Sequence, residues 1–317
     1  MIGVLGLVAP VFLLIALGYV AGIRRVLSDE ALRGINDFAF WLCAPALLFV
    51  SAAVGEGVGG HGGRLELSFF AGVLIVYAAA LLLSRLVTGR GLAESGLFAL
   101  NCAFGNTLMM GVPVVLATFG PAGIGPATAI VGLYSLVMLP LTTIVAEMGM
   151  SAGASPLRVL RTTLRSVVRN PIVMAVLLGN LWALFLPVPP LFVRRFLEIL
   201  GGGTSPLLLF CLGASLRDFQ IRRDWMDAVV ISVLKLAVLP LVVLGLGRLA
   251  GLPPLELAVA VIMAAMPTGA NAFLLSRRYA TGMERAGAAV LLGTMLSVVT
   301  LTVVLGWFGG AGGNPAP

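Results

Sequence analysis

The sequence predicts an all-α integral membrane protein of ten transmembrane helices, built as two inverted repeats of five, with helices 4 and 9 broken at membrane depth. Composition is the first sign: 60% of residues are hydrophobic and 10% charged, whereas globular domains carry about a quarter charged. The second is a count of apolar runs near the ~20 residues a helix needs to cross a hydrocarbon core. Ten occur, at about 3–22, 35–54, 67–87, 93–118, 122–148, 171–189, 192–216, 226–249, 254–275 and 286–308. The third is a repeat at a constant offset of 161 residues: Pro10 and Gly18 recur as Pro171 and Gly179, Pro45 and Phe49 as Pro206 and Phe210, and Gly132 as Gly293. Five segments per half is an odd number, so the second half must enter the membrane upside down. Inverted repeats of this kind are a mark of secondary transporters.

The segments divide the chain into a first repeat (1–148), a connector (149–170), a second repeat (171–308) and a tail (309–317). Segment 1 lacks the basic region of a signal peptide, since Met1 to Gly22 holds no charge, and reads as a retained helix. After segment 2, Gly55 to Gly63 is a Gly-rich loop holding His61, the sole histidine, which reads as solvent-facing. The connector carries Arg158, Arg161, Arg165 and Arg169 and reads as a linker that sets topology or as a short interfacial helix. Cys43, Cys102 and Cys211 lie in apolar segments as small free thiols without metal-ligand spacing. Pro10, Pro45, Pro140, Pro171, Pro206 and Pro240 read as ordinary kinks. The Gly/Asn/Pro tail, 309–317, is expected to be disordered.

The net charge of +7 could suggest nucleic acid, so its distribution decides. Loops after segments 1, 3, 5, 7 and 9 carry 15 arginines and the even-numbered loops 4. This is the positive-inside pattern, with odd loops cytoplasmic and both termini outside the cell (inner) membrane. The basic residues are orientation signals, and the nucleic-acid reading fails. Cysteines placed at Ser155 and Gly60 in a cysteine-free protein are expected to label from the cytoplasm and from outside respectively, and the reverse pattern overturns the orientation.

Segment 4 contains Asn101, Gly105, Asn106, Thr107, Gly111 and Pro113, and segment 9 contains Pro267, Thr268, Gly269 and Asn271. Proline deletes a backbone donor, glycine permits extended or left-handed backbone, and an Asn amide can satisfy freed groups. Unpaired backbone in hydrocarbon costs several kcal/mol per group, so such breaks face protein or a wet cavity. Paired broken helices in matching positions of two halves point to a binding site. If the breaks cross near the midplane, the positive ends of half-helices favour an anionic group. The candidate ligands are Asn106 and Asn271, with Thr107, Thr268, Gly105, Gly269, Pro113 and Pro267 completing the pocket.

Lys235, the single lysine, lies mid-segment in segment 8. It could supply a counter-charge to an anion or titrate during a cycle, or it could serve packing by reaching a carboxylate or backbone carbonyl. Asp37, Glu147, Glu198 and Glu256 lie near segment ends and are expected to reach the interface.

Pro10 to Gly22, Asn36 to Phe49 ending in Pro-Ala-Leu-Leu-Phe, Phe104-Gly105-Asn106-Thr107 through Pro113, and Pro267-Thr268-Gly269-Ala270-Asn271 with Leu296 to Thr300 resemble a bacterial member of the auxin efflux carrier family. The resemblance spans essentially the whole chain. It implies a crossover of helices 4 and 9 at the substrate site, a scaffold of helices 1, 2, 6 and 7 with a homodimer through helices 2 and 7, and elevator-type transport of organic anions. Bile acid sodium symporters share the general architecture, so a sodium-coupled symporter of bile-acid-like or other anions is the alternative. The long cytoplasmic loop of the plant hormone exporters is absent, which favours small carboxylates such as malonate or malate over auxin. No cofactor is expected, and a coupling ion, proton or sodium, stays open. Intramembrane enzymes need paired carboxylates, a His-rich metal set or a Ser with its base, none of which lies at membrane depth. A channel would show a filter or a ring of like charges.

Overall fold

The computed structural model describes residues 2–56, 63–150, 169–219 and 225–311. These are helical almost throughout, with no strand among them. His61 and most of the connector lie outside the described residues.

Helix α1 is Ile2–Ile23. Helix α2, residues 29–56, starts at the N-cap Ser28, whose hydroxyl accepts from the Ala31 N–H at 3.1 Å, with Asp29 and Glu30 in the first turn. There both cap and carboxylates compensate the unpaired N–H groups. Helix α3 is Arg64–Thr88, closed by Gly89 at φ 64°. Helix α4 is split into Leu92–Ala103 and residues 107–119, and α5 is Ile124–Met150. In the second half, α6 is Pro171–Phe185, α7 residues 191–218 with a turn at Gly203, α8 residues 225–249, α9 is split into Pro254–Ala264 and Ala270–Arg278, and α10 is Met283–Ala311. Helix α10 therefore continues into the first residues of the stretch expected to be disordered, through Ala311.

Proline shapes these helices in two ways. Wide π turns at Ala39–Cys43, Thr107–Gly111 and Leu234–Val238 each end two residues before Pro45, Pro113 and Pro240. The ring removes a donor and pushes back the preceding turn, and the extra residue in the π turn absorbs the mismatch. Pro171 is not a kink: it is the first residue of α6, behind the N-cap Asn170, whose Oδ1 accepts from Ile172 N at 3.0 Å. A proline is well suited there because the first helical N–H has no intrahelical partner in any case.

Among the described residues, six stretches are long and apolar enough to cross a membrane, one of them the 44-residue run Thr107–Met150, and shorter apolar helices occur at Ala9–Ile23, Pro171–Phe185 and Pro254–Ala264. Helices α1, α2, α6 and α7 pack as one group; α3, α4, α5, α8, α9 and α10 pack as another. Contacts of α1 with α10, of α5 with α2 and α6, and of the trailing half of α4 with α1 and α7 join the groups.

Backbone contact drives the first group together. A Cβ at Gly18 would stand 2.0 Å from the Phe210 carbonyl oxygen, and one at Gly213 would stand 1.9 Å from that of Ile15, so α1 and α7 touch main chain to main chain. Where α6 meets α2, a Cβ at Gly179 would stand 2.7 Å from the Phe49 carbonyl oxygen. Gly18 meets Phe210 while Gly179 meets Phe49, and each residue of one pair lies 161 positions from its counterpart in the other. The same 161 separates Arg64–Thr88 from residues 225–249, and Ala103 from Ala264, the last residues before the two breaks.

Candidate functional site

Both breaks leave the helix as short extended segments, and these meet. Asn106 N donates to Pro267 O at 2.7 Å and Gly269 N to Phe104 O at 2.9 Å, an antiparallel bridge centred on Gly105 and Thr268. Backbone groups freed by one break are thereby satisfied by the other, which answers the cost of unpaired peptide groups at this depth. Glycine keeps both sides of the junction closely packed. A Cβ at Gly105 would stand 3.0 Å from Lys235 Nζ and 3.1 Å from its Cε, and one at Gly269 would stand 3.1 Å from the Gly105 carbonyl oxygen.

The carbonyls that end the two leading half-helices are capped by side chains from neighbouring helices. Tyr134 on α5 donates its hydroxyl to Ala103 O, accepts from Gly105 N at 3.0 Å, and stacks on Phe104 with ring centroids 4.8 Å apart. Lys235 Nζ donates to Ala264 O, the equivalent carbonyl of the second half. One junction thus has a neutral cap and the other a lysine, placed at the negative end of a half-helix. Thr268, 1% exposed, adds a tie by donating its hydroxyl to Asn101 O at 2.9 Å.

A cavity of about 730 Å³ opens beside the crossing. Gly105, Asn106, Thr107, Gly269 and Asn271 line it, together with the polar face of α2 (Arg33, Asn36, Asp37), Ser215, Arg217 and Asp218 at the end of α7, and Asn170. The trailing half-helices start at Thr107 and Ala270, so both N-termini border the cavity. First-turn N–H groups have no intrahelical acceptor and carry partial positive charge. Asn106 is 6% exposed, and its Nδ2 has no partner among the described residues. A buried amide donor beside two helix N-termini is a donor set suited to an anion, in a wall that also holds the carboxylates of Asp29, Asp37 and Asp218.

The sequence-derived candidates separate here. Asn106, Thr107, Gly105, Gly269 and Asn271 meet at the cavity, with Asn271 exposed in the first turn of the trailing half of α9. Thr268 and Pro267 lie in the junction itself, and Pro113 is buried within the trailing half of α4. Lys235 is 0% exposed and outside the cavity lining; its partner is a carbonyl and not a carboxylate. Lys235→Met is therefore expected to leave the Ala264 carbonyl without its donor, at about 1 to 3 kcal/mol. The measurement is the melting temperature without substrate, and an unchanged value removes the capping role.

Of the end-lying acids, Glu147 accepts from Tyr279 Oη at 2.9 Å, Glu198 pairs with Arg194 at 3.6 Å, and Asp37 faces the cavity. Tyr134 was not singled out in the sequence, nor were Arg33 and Asn36 of the α2 face. Arg33, Asn36, Asp37 and Phe40 do fall at helical spacing, a signal that a polar stripe inside an apolar segment provides.

The family described as membrane transport protein matches residues 4–305. The chain belongs to this family, the auxin efflux carriers. It is a transporter-family member and not an enzyme. A Rhizobium meliloti (strain 1021) protein bearing the name "Putative malonate transporter" is 28% identical over 306 residues, covering 95% of this chain and 94% of that protein. An uncharacterized transporter of Methanothermobacter thermautotrophicus is 25% identical, covering 93% and 95%. The lysosomal cholesterol signaling protein of Mus musculus is 26% identical over 73% of this chain, which corresponds to 28% of that protein's length.

Proposed function

We propose that this auxin efflux carrier family member is a secondary transporter of a small organic anion, a carboxylate, held at the crossing of α4 and α9. The observation that carries this reading is the convergence of two half-helix N-termini and the unpartnered Asn106 amide on one cavity. A carboxylate is acceptor-only when ionised and matches such a donor set. Asn106 and the first-turn amides of the trailing half-helices bind it, Thr107 and Asn271 border it, and Thr268, Pro267 and Lys235 hold the backbone around it.

The architecture we infer is ten membrane helices in two inverted repeats. Its support is the exchanged pairs Gly18/Phe210 and Gly179/Phe49, together with the capped carbonyls Ala103 and Ala264 at the same offset. In this reading α1, α2, α6 and α7 form a scaffold, which dimerises through α2 and α7, and the other helices move against it as an elevator. The cavity is bordered by Asp29, Asn170 and Asp218, at the ends of segments that the arginine census places in the cytoplasm, so this conformation faces inward.

Uptake and counterflow in proteoliposomes, with malonate first because of the Rhizobium relative and then other mono- and dicarboxylates, tests the reading. Saturable flux of at least one carboxylate is expected. Separate sodium and proton gradients identify the coupling, and absence of saturable flux for every carboxylate overturns the proposal.

A further inference from the structure

Lys235 lies in the π turn Leu234–Val238, far from both ends of α8 and fully buried. Its Nζ donates to Ala264 O, the last carbonyl of the leading half of α9. That end of a half-helix carries partial negative charge. In transporters with broken helices such ends, together with unwound carbonyls, are where a coupling sodium ion or proton is held. The equivalent end in the first half, Ala103 O, has a donor as well. Tyr134 gives it a hydroxyl, fixed in that direction because its oxygen accepts from Gly105 N at 3.0 Å. Both carbonyl ends at the crossing are therefore taken, one by a neutral group and one by the lysine.

The tip of Lys235 also packs on Gly105. A Cβ there would stand 3.0 Å from Nζ and 3.1 Å from Cε, so the lysine fills the space that a side chain would need. Gly105 lines the anion cavity, which leaves one glycine between the lysine tip and that wall. Helices α3, α10 and the leading half of α4 pack on the π turn. From α4 the titratable neighbour is Cys102. The charged residues of α3 and α10 lie in their first and last turns, and Asp227, on the lysine's own helix, is held by Arg90 at 2.6 Å and Arg285 at 3.4 Å. A metal ion brought to Ala264 O would have to displace the lysine or share the carbonyl with it, and like charges repel strongly where screening is poor.

We propose that the Lys235 ammonium is the resident cation of the crossover. It occupies the place that a coupling sodium ion would take at the end of the leading half of α9, and it holds positive charge behind Gly105 where the anion binds. Sodium then has no seat at this crossing. The occupied seat stands whether or not the cavity carries a carboxylate, and the pull on the anion rests on that reading.

Because Lys235 is the only lysine, untagged protein labelled with lysine-ζ-¹⁵N in nanodiscs gives one side-chain nitrogen signal. At neutral pH the expected signal is that of an ammonium, and neither it nor the melting temperature changes when sodium chloride replaces choline chloride at equal ionic strength. A neutral amine, or a saturable sodium-dependent shift of the signal, overturns the proposal. Malonate is the probe for the charge: it is expected to shift the ammonium signal, and Lys235→Met is expected to bind it about tenfold more weakly, as loss of a charge near an anion in a poorly screened site entails. Unchanged malonate affinity in Lys235→Met overturns the pull on the anion; should that variant not fold, the malonate shift of the unsubstituted protein decides. If the unsubstituted protein binds no malonate, the result counts against the carboxylate reading and the pull together, and the sodium comparison still decides the seat.

Discussion

Asn106→Ala is expected to lose about tenfold to a hundredfold in affinity for the transported carboxylate while remaining folded. The truncation keeps the two backbone groups that build the crossing, since Asn106 N still donates to Pro267 O and Asn106 O still accepts from Met110 and Gly111. What disappears is the buried Nδ2 donor, and an acceptor left unpaired in a dry site costs about 1 to 3 kcal/mol. Asn106→Asp should be worse still, because it sets a negative charge against the anion. Asn271 is exposed, so water can replace its amide and Asn271→Ala should cost less. Isothermal titration of the purified variants with the substrate found by counterflow checks this ordering; wild-type affinity in Asn106→Ala removes the assignment.

Gly213→Ala is expected to abolish accumulation of folded protein. The added methyl would sit 1.9 Å from the Ile15 carbonyl oxygen and 2.7 Å from its carbon, both main-chain atoms. A side chain could rotate away; a helix backbone cannot, so α1 and α7 must separate along their length. Overpacking costs about 1 to 3 kcal/mol where side chains yield and more where they cannot. Gly18→Ala, 2.0 Å from Phe210 O, should behave alike, and Gly179→Ala, at 2.7 Å from Phe49 O, should be milder. Gly245→Ala is the control, since nothing lies within 4 Å of its added methyl and a glycine-to-alanine change inside a helix favours the helix by roughly 0.5 to 1 kcal/mol. Size-exclusion profiles and melting temperatures in detergent read the series. A monodisperse Gly213→Ala protein with wild-type melting would show that the crossing is loose.

The two glycine contacts also explain why so much of the fold was legible. Gly18, Phe49, Gly179 and Phe210 stood out as coincidences at one offset, and they are the residues at which helices from opposite halves touch. The breaks in α4 and α9 were legible for a related reason. Proline and glycine act on their own backbone, so Gly105, Pro113, Pro267 and Gly269 announce an interruption without reference to any neighbour.

Roles that depend on a neighbour were not legible. For Lys235 the sequence left a charge for an anion and a packing role open, and only packing sets it near Gly105 against a carbonyl. Thr268 stood beside Asn271 in the candidate list, yet its hydroxyl closes onto Asn101. Tyr134, without any local signal, became the cap of the other half-helix. By itself the sequence determined that this chain lives in a membrane, that its halves repeat, and where its helices must break, because hydropathy and backbone freedom belong to individual residues. Only the tertiary structure decided which amide stays unpaired in the cavity and which polar side chains hold the crossing. A hydrogen bond at membrane depth is defined by the partner that packing brings within reach.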